Sequence, residues 1–325
     1  MRRPFIFILP LLLGQCVDGS VPGRVMLING QRIEVASRPV QLDNANPASR
    51  RVGPLTLKGA WHLTSDVRAF GGFSGLDVEG NRVTALGDSG TIIRFRLGRF
   101  GNVSDASITP LPHGCGRVLR KTDNDTEALA HDGARQHWWV TYEWRNAVCR
   151  INANFTSGNS VRAPSEMSKW PQKRGPEAMV RLHDGRCLII AESVPSGTGT
   201  AQALLFDRDP TDPAAQSVVL GYRPTAGFKP TDVTQLPDGR LLILNRRFTL
   251  WSLFTTEVVL VEALDPAPSG LLKSRTIAQF APPTITENFE GIAVSTEQGK
   301  PIIWLISDDN FMRWQRTLLL KFELD

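Results

Sequence analysis

Carboxylate side chains recur at one position of a repeated sequence pattern. They stand just before short runs of small and apolar residues, at Glu127, Glu177, Asp232 and Glu290. Ser74 precedes a similar run nearer the N terminus, so successive copies begin 53, 50, 55 and 58 residues apart. Oxygen donors without clustered histidine or cysteine favour Ca²⁺, which binds about six to eight oxygens. The pattern therefore predicts a cation site built from carboxylates.

Charged residues also recur where the second apolar segment of each copy ends. They are Asp88, Glu143, Glu192, Arg246 with Arg247, and Asp308 with Asp309. Guanidinium groups can clamp an anionic substrate group through paired hydrogen bonds. Carboxylates can hold a metal ion or orient a water molecule. We therefore expect both kinds of side chain to meet at one site.

The expected roles follow from residue type. Catalysis is assigned to Glu290, Asp308, Asp309, Arg246 and Arg247. Metal binding, with Ca²⁺ as the expected ion, is assigned to Glu127, Glu177, Asp232, Glu290 and Asp308. Substrate binding is assigned to Arg145, Asn310, Glu143 and Glu192. The alternative is that these groups only form salt bridges between copies; Asp123 and Asp125 are expected in a solvated acidic turn.

Each copy of the pattern predicts β-strands. Its apolar runs are short, rich in β-branched residues and separated by turn formers such as Asp-Gly. A period of about 50 residues with four strands per copy is typical of β-propeller blades. The innermost strand of every blade lines the central channel, so equivalent residues converge on one ring. The predicted fold is an all-β propeller with acidic residues around a shared channel.

The ends of the chain are expected to close this ring. Propellers often combine strands from both termini in one blade, and residues 316–324 supply an apolar C-terminal strand. Asn29-Gly30 predicts a hairpin near the N terminus. Five clear copies and a composite one favour six blades, and five or seven remain open.

Composition indicates one globular domain. The chain has 325 residues, of which 41% are hydrophobic, and the repeat runs through most of it. We therefore expect a single propeller domain over residues 20–325, as a monomer. The formal net charge of +5 suits a small anionic ligand, and the sequence has no long run of Lys and Arg that would indicate nucleic-acid binding.

The N terminus has the pattern of an export signal. Arg2 and Arg3 precede an apolar stretch, 5–13, that is too short to span a bilayer. We predict a signal peptide over residues 1–19 and a periplasmic or extracellular protein without a transmembrane span. Cleavage before Cys16, with lipid attachment, is a less favoured alternative.

The remaining cysteines permit one disulfide. Cys115, Cys149 and Cys187 follow the leader, and an odd number in an oxidising compartment leaves one thiol over. Cys115 with Cys149 is the expected pair, which leaves Cys187 as a buried thiol.

Tryptophans divide by their position in the strand pattern. Those inside it, which we expect in the core, are Trp138, Trp139, Trp251 and Trp304. Those at strand ends or in loops, which could line a pocket, are Trp144, Trp170 and Trp314.

These motifs together resemble a known family. They are Gly71–Leu76 with Gly87–Gly90, Thr126–Leu129, Gly175–Met179, Pro230–Asp232 with Leu236–Arg240 and Asn245–Phe248, Asn288–Ala293, and Ser307–Phe311 with Gln315–Leu318. Over about residues 70–324 the chain resembles the phytase-like family of exported bacterial proteins, called "esterase-like activity of phytase". The resemblance implies a β-propeller, export, and phosphoesterase or esterase activity with Ca²⁺ at the channel face.

Two functions are compatible with these features. The first is an exported hydrolase that uses Ca²⁺ at the channel mouth to cleave a small phosphate ester or related ester. The second is a non-catalytic module in which the same ring binds a metal, a phosphorylated or sugar-like ligand, or a protein partner. Turnover that depends on calcium would separate them.

Overall fold

The strands of the computed structural model account for nearly all of its regular structure. It describes residues 27–112, 115, 125–134, 136–195, 197–264 and 270–325; the predicted signal peptide and Cys16 lie outside these ranges. A 3₁₀ turn spans Ser165–Met167. The strands are β1 (Gln31–Arg32), β2 (Ala36–Pro39), β3 (Arg51–Val52), β4 (Leu55–Thr64), β5 (Phe73–Glu79), β6 (Arg82–Gly87), β7 (Thr91–Leu97), β8 (Val103–Pro110), β9 (Thr126–Asp132), β10 (His137–Tyr142), β11 (Ala147–Asn152), β12 (Gly158–Arg162), β13 (Pro176–Arg181), β14 (Cys187–Ala191), β15 (Ala201–Phe206), β16 (Ser217–Tyr222), β17 (Lys229–Gln235), β18 (Leu241–Thr249), β19 (Leu253–Val261), β20 (Ser274–Phe280), β21 (Asn288–Glu297), β22 (Lys300–Asp308) and β23 (Leu318–Leu324).

These strands form five antiparallel sheets among the described residues. Three are simple blades of four consecutive strands, β9–β12, β13–β16 and β17–β20. The first blade contains β5–β8 with β1 added at its outer edge. The last contains β21, β22, β23, β4 and β2 in that order, with β3 paired to β4.

The first strand of each blade contacts its counterparts on either side. The contacts run from β5 to β9, β13, β17 and β21, and from β21 back to β5. The ring is therefore closed, and the prediction of an all-β propeller is confirmed, with five blades among the numbers left open. The N-terminal strands build no sixth blade, because β2, β3 and β4 join the last blade and β1 extends the first.

The last blade combines N-terminal strands with the C-terminal strand. Pairing of β23 with β4 places Leu324 opposite Leu55. Strand β23 starts beside the end of β22, where the Ser307 hydroxyl donates a hydrogen bond to the Arg316 carbonyl, and runs to the opposite face. The C terminus therefore lies on the face away from the end of β22.

Apolar side chains are buried between the blades. The five hydrophobic clusters correspond to the five interfaces between neighbouring blades, and one of them joins Leu86 and Ile92 of the first blade to Leu129 and Val140 of the second. Burying one such side chain stabilises a fold by about 1.5–3 kcal/mol. Stability is therefore spread around the ring.

The predicted cysteine states are confirmed. Cys115 and Cys149 form a disulfide, and Cys187 is a buried free thiol. Cys149 lies in β11, so the bridge ties the second blade to the segment that precedes it. No helix in the described ranges is long and apolar enough to cross a membrane.

The tryptophan prediction is partly wrong. Trp138, Trp139 and Trp304 are buried as expected, but Trp251 is 98% exposed, and Trp170 is buried although it lies in a loop. Strand β18 continues past Arg247 to Thr249 and turns back into β19 at Leu253. Trp251 therefore stands at the tip of a projecting hairpin.

Candidate functional site

A β-bulge recurs at the same place in all five inner strands. The register against the second strand shifts by one residue after Phe73, Thr126, Pro176, Pro230 and Phe289. A bulge inserts an extra residue and re-aims its side chain. The residues that follow the shift are Ser74, Glu127, Glu177, Thr231 and Glu290. Three carboxylates and two hydroxyls thus occupy equivalent positions around the channel.

Asp232 does not occupy the equivalent position, so the register assumed from the sequence was off by one residue in this blade. The bulge places Thr231 there, and Asp232 is only 1% exposed. Its carboxylate oxygens accept hydrogen bonds from the backbone N–H groups of Val233 and Ile292, both at 2.8 Å. Burial raises the pKa of Asp232 well above its usual value. The structure thus shows Asp232 joining the fourth blade to the fifth.

The ends of the second strands form a second ring beside the first. The backbone N–H of Asp88 donates to the Gly72 carbonyl at 2.7 Å, and that of Glu192 to the Gly175 carbonyl at 2.9 Å. The equivalent residues of the other blades are Glu143, Arg246 and Asp308, which lie opposite Asp125, Lys229 and Asn288. These residues and the bulge residues together define the channel mouth.

Three carboxylates form the tightest group at the mouth. Oxygen atoms of Asp125, Glu127 and Glu143 all lie within 4.8 Å of one another. Asp125 was expected in a solvated turn, yet it immediately precedes β9 and its carboxylate lies beside that of Glu127. Its position two residues before Glu127 in the sequence was the signal that could have identified it. Asp123 lies outside the described ranges.

A polar network crosses the mouth from the fourth blade. Arg246 forms an ion pair with Glu290, donates to Asn288 Oδ1 at 2.6 Å and lies 3.8 Å from Glu192. Lys229 Nζ donates to Glu192 Oε1 at 2.9 Å. The amide of Asn288 donates to Glu290 at 2.9 Å and to Asp308 at 3.0 Å.

Burial and mutual repulsion raise the pKa values of several carboxyl groups at the mouth. The pKa of Glu127 lies well above its usual value, first through burial and then through Glu177 and Glu290; Glu177 shows the same direction. Burial raises the pKa of Glu143 to about 8, with Asp125 adding to the effect. Burial and then Glu290 raise the pKa of Asp308 to about 8. Without a cation, the mouth therefore retains protons at neutral pH.

The structure brings Glu127, Glu143, Glu177, Glu192, Glu290, Asp308 and Arg246 together at the mouth. Other predicted site residues make different contacts. Asp309 accepts hydrogen bonds from the Gly72 N–H at 3.1 Å and the Thr317 hydroxyl at 2.9 Å, and holds the loop after β22. Arg247, the residue next to Arg246 on the strand, packs its guanidinium 4.6 Å from the Phe228 ring centroid.

The two remaining predicted residues lie at the margin. The Asn310 side chain donates to Gln315 Oε1 at 2.8 Å, while its backbone N–H donates to Asp308 Oδ1 at 2.6 Å. Arg145 donates to the Cys115 carbonyl at 2.8 Å and lies over the Tyr142 ring. Lys229 and Asn288 were not predicted, because their place at the mouth depends on strand pairing.

The donor set fits a hard divalent cation. Asp125, Glu127 and Glu143 offer carboxylate oxygens only. Burial raises the pKa values of Glu127 and Glu143, and a bound cation would favour their ionised forms. Glu177 and Glu290 border this group, since both raise the pKa of Glu127 electrostatically. The chemistry of these residues thus suits Ca²⁺ better than Zn²⁺, which is usually held by histidine and cysteine.

Comparison with known proteins identifies one family. A family model described as "Phytase-like: Esterase-like activity of phytase" matches residues 68–311. No curated protein matches the chain.

Several solved structures are distantly similar to this chain. One is a gluconolactonase from Xanthomonas campestris, at 12% identity and TM-score 0.44, covering 92% of this chain and 98% of that chain. Another is a glutaminyl cyclase from Myxococcus xanthus, at 13% identity and TM-score 0.43, covering 78% and 92%. These similarities are too low for any functional inference.

Proposed function

We propose that this chain, which belongs to the phytase-like family, is a hydrolase of small anionic esters. It would use a divalent cation, Ca²⁺, at the channel mouth. The substrate class is a phosphate ester or a related carboxylic ester. The observation that carries the proposal is that carboxylate oxygens of Asp125, Glu127 and Glu143 lie within 4.8 Å of one another. Other blades add further carboxylates around this group.

The acidic group supports the choice of a cation. Like charges this close destabilise each other unless they are protonated or neutralised by a cation. Asp125, Glu127 and Glu143 would hold Ca²⁺, and Glu177 and Glu290 would border it. When bound, the ion would polarise the ester oxygen and lower the pKa of a coordinated water.

The residues on the other side of the mouth would handle the substrate. Arg246 remains cationic, since Glu290, Glu177 and Glu192 raise its pKa against the effect of burial. It can donate to an oxygen on which negative charge develops. Asp308 has a pKa of about 8, which suits proton transfer near neutral pH. Asn288 and the Asn310 N–H hold its carboxyl in place.

A second candidate is a binding module that holds a cation without turnover. It is favoured by one observation, namely that Arg246 and Lys229 are both paired with carboxylates. Cations engaged in this way have less capacity for a substrate anion.

Activity assays separate the two candidates. We expect the purified protein to hydrolyse the anionic ester p-nitrophenyl phosphate with Ca²⁺ and to lose this activity in chelator. Glu143→Gln should reduce the rate at least tenfold. Glu79→Gln is the matched control, because Glu79 is exposed at the far end of an inner strand. Calcium-dependent melting shifts without turnover would favour the binding module.

Export is a further part of the proposal, supported by the sequence of residues 1–19. A periplasmic or extracellular location would expose the mouth to more calcium than the cytoplasm provides. Fractionation of cells that express the full chain tests this, and retention of the protein in the cytoplasm would contradict it.

A further inference from the structure

Large apolar side chains are exposed mainly on one side of the channel mouth. In the part of the chain that the structure describes, seven of the twelve belong to two turns of neighbouring blades. Phe248, Leu250, Trp251 and Leu253 lie in the β18–β19 hairpin, and Phe311, Met312 and Trp314 lie in the loop after β22. We call these seven residues the apolar rim. The other five are scattered: Ile28, Phe100, Val161, Val219 and Leu271.

The hairpin part of the apolar rim is continuous with the carboxylate site. Phe248 stands two residues after Arg246 on β18, so both side chains lie on the same face of the strand. Phe254, opposite Phe248 on β19, packs against it with ring centroids 5.1 Å apart. Strand β18 extends three residues past Arg246, about 10 Å at the usual rise per residue. The hairpin therefore stands as a wall above the ion pair of Arg246 with Glu290.

The loop part of the apolar rim reaches the acidic side of the mouth. A Cβ atom added to Gly72 would lie 2.6 Å from a ring carbon of Phe311 and 2.7 Å from Oδ1 of Asp88. The ring and the carboxylate therefore meet at Gly72, whose φ of +60° favours glycine. Asn310 and Phe311 both have positive φ, and Asp309 accepts the Phe311 N–H at 3.0 Å. This turn holds Phe311 at the edge of the mouth.

We propose that the apolar rim binds an alkyl or aryl group of the substrate, so that the esters cleaved at the mouth are amphiphilic. This inference rests on the proposed function and specifies its substrate class. The apolar side chains of the rim are 47% to 98% exposed, which costs the free protein little free energy. Covering them with an apolar chain removes that surface from water and therefore favours binding. A fully polar, highly phosphorylated substrate would leave the rim uncovered.

Binding of phosphonates tests this without requiring turnover. The probes are methylphosphonate and hexylphosphonate, added to the full protein in Ca²⁺ and followed by calorimetry. We expect hexylphosphonate to bind about 30-fold more tightly, since five extra methylenes lying against one wall bury roughly half of their surface. Phe248→Ala combined with Trp251→Ala should reduce the difference to about threefold or less, with binding of methylphosphonate unchanged.

Controls distinguish the possible failures. Phe100→Ala should preserve the chain-length effect, because Phe100 is 87% exposed in the turn after β7, on the face away from the mouth. Equal affinity for the two phosphonates would overturn the inference while leaving the proposed function intact. Failure of both phosphonates to bind would instead count against the proposed function. Sedimentation with phosphatidylcholine vesicles tests the other possible use of the rim. Vesicle binding that is lost in the rim variant, without any chain-length effect, would show that the rim docks on a membrane and would also overturn the inference.

Discussion

Glu127 lies among carboxylates that belong to three different blades. Its own blade supplies Asp125 and Glu143, and Glu177 of the third blade and Glu290 of the fifth also raise its pKa. Glu127→Gln should weaken Ca²⁺ binding at least tenfold, because it replaces a charged ligand by a neutral amide. In chelator at pH 8 the variant should melt at a higher temperature than the wild type, because the repulsion is removed.

Calorimetric titration and thermal melts measure both effects, and Glu79→Gln should alter neither. An unchanged calcium affinity in Glu127→Gln would place the cation elsewhere.

Arg246 partly neutralises the mouth in the absence of a metal. It pairs with Glu290 and lies near Glu192. Arg246→Gln should destabilise the protein in chelator by about 3 kcal/mol, because a partly buried pair loses one partner, and Ca²⁺ should recover part of this. Arg186→Gln, which breaks a pair within one exposed turn, should cost less than about 1 kcal/mol. Denaturant unfolding compares the two, and equal losses would contradict this role.

The sequence identified most acids of the mouth, since Glu127, Glu177 and Glu290 share one position in the repeat. It misplaced Asp232, because a one-residue register shift is invisible when the neighbouring residue is also polar. It missed Lys229 and Asn288, whose place depends on pairing with Arg246 and Asp308. Local spacing identifies a ring, whereas cross-strand pairing decides which side chains complete it.

Inner strands are also joined to each other by side chains. Asp232 accepts the N–H of Ile292 from the next blade. Asp232→Asn should destabilise the protein by about 1–3 kcal/mol, since the amide nitrogen cannot accept and one buried N–H loses its partner. Asp238→Asn is the control, because Asp238 is exposed in a turn. Chemical denaturation tests this, and equal stability of the two variants would show that the contact contributes little.

The hairpin β18–β19 shows where strand prediction failed. Its sequence alternates in a way that fits a buried strand, so Trp251 was expected in the core. The pairing continues to Thr249 and Leu253, beyond the end of the neighbouring blades' strands. The number of residues over which two strands stay paired depends on the partner strand. The periodicity of one strand therefore cannot predict where the pairing ends.

At the scale of the whole molecule, stability should fall with rising pH when Ca²⁺ is absent, and bound Ca²⁺ should reduce that fall. The usual pKa of Asp308 is 3.8, and in the fold it is about 8; Glu143 rises from 4.5 to about 8. Between these values the folded chain binds more protons than the unfolded chain, so stability falls as pH rises from about 4 to about 8. We expect the melting temperature in chelator to fall across this window.

Added Ca²⁺ should raise the melting temperature more at pH 8 than at pH 5, because protons compete for the same oxygens. Scanning calorimetry at both pH values measures this. A calcium effect equal at pH 5 and pH 8 would contradict it.

The closure of the ring shows what sequence reasoning could and could not decide. The period of the repeat was enough for a propeller. The number of blades depended on whether the N-terminal segments formed a blade of their own. They do not, because β4 pairs with β23 and becomes part of the last blade.

That pairing leaves Asp325 at the end of β23, where its backbone N–H donates to the Pro54 carbonyl at 3.0 Å. A fusion partner, purification tag or surface linker attached there would project from the face of the propeller opposite the channel mouth. A protein immobilised in this way would keep its channel mouth facing the bulk solution and accessible to added reagents.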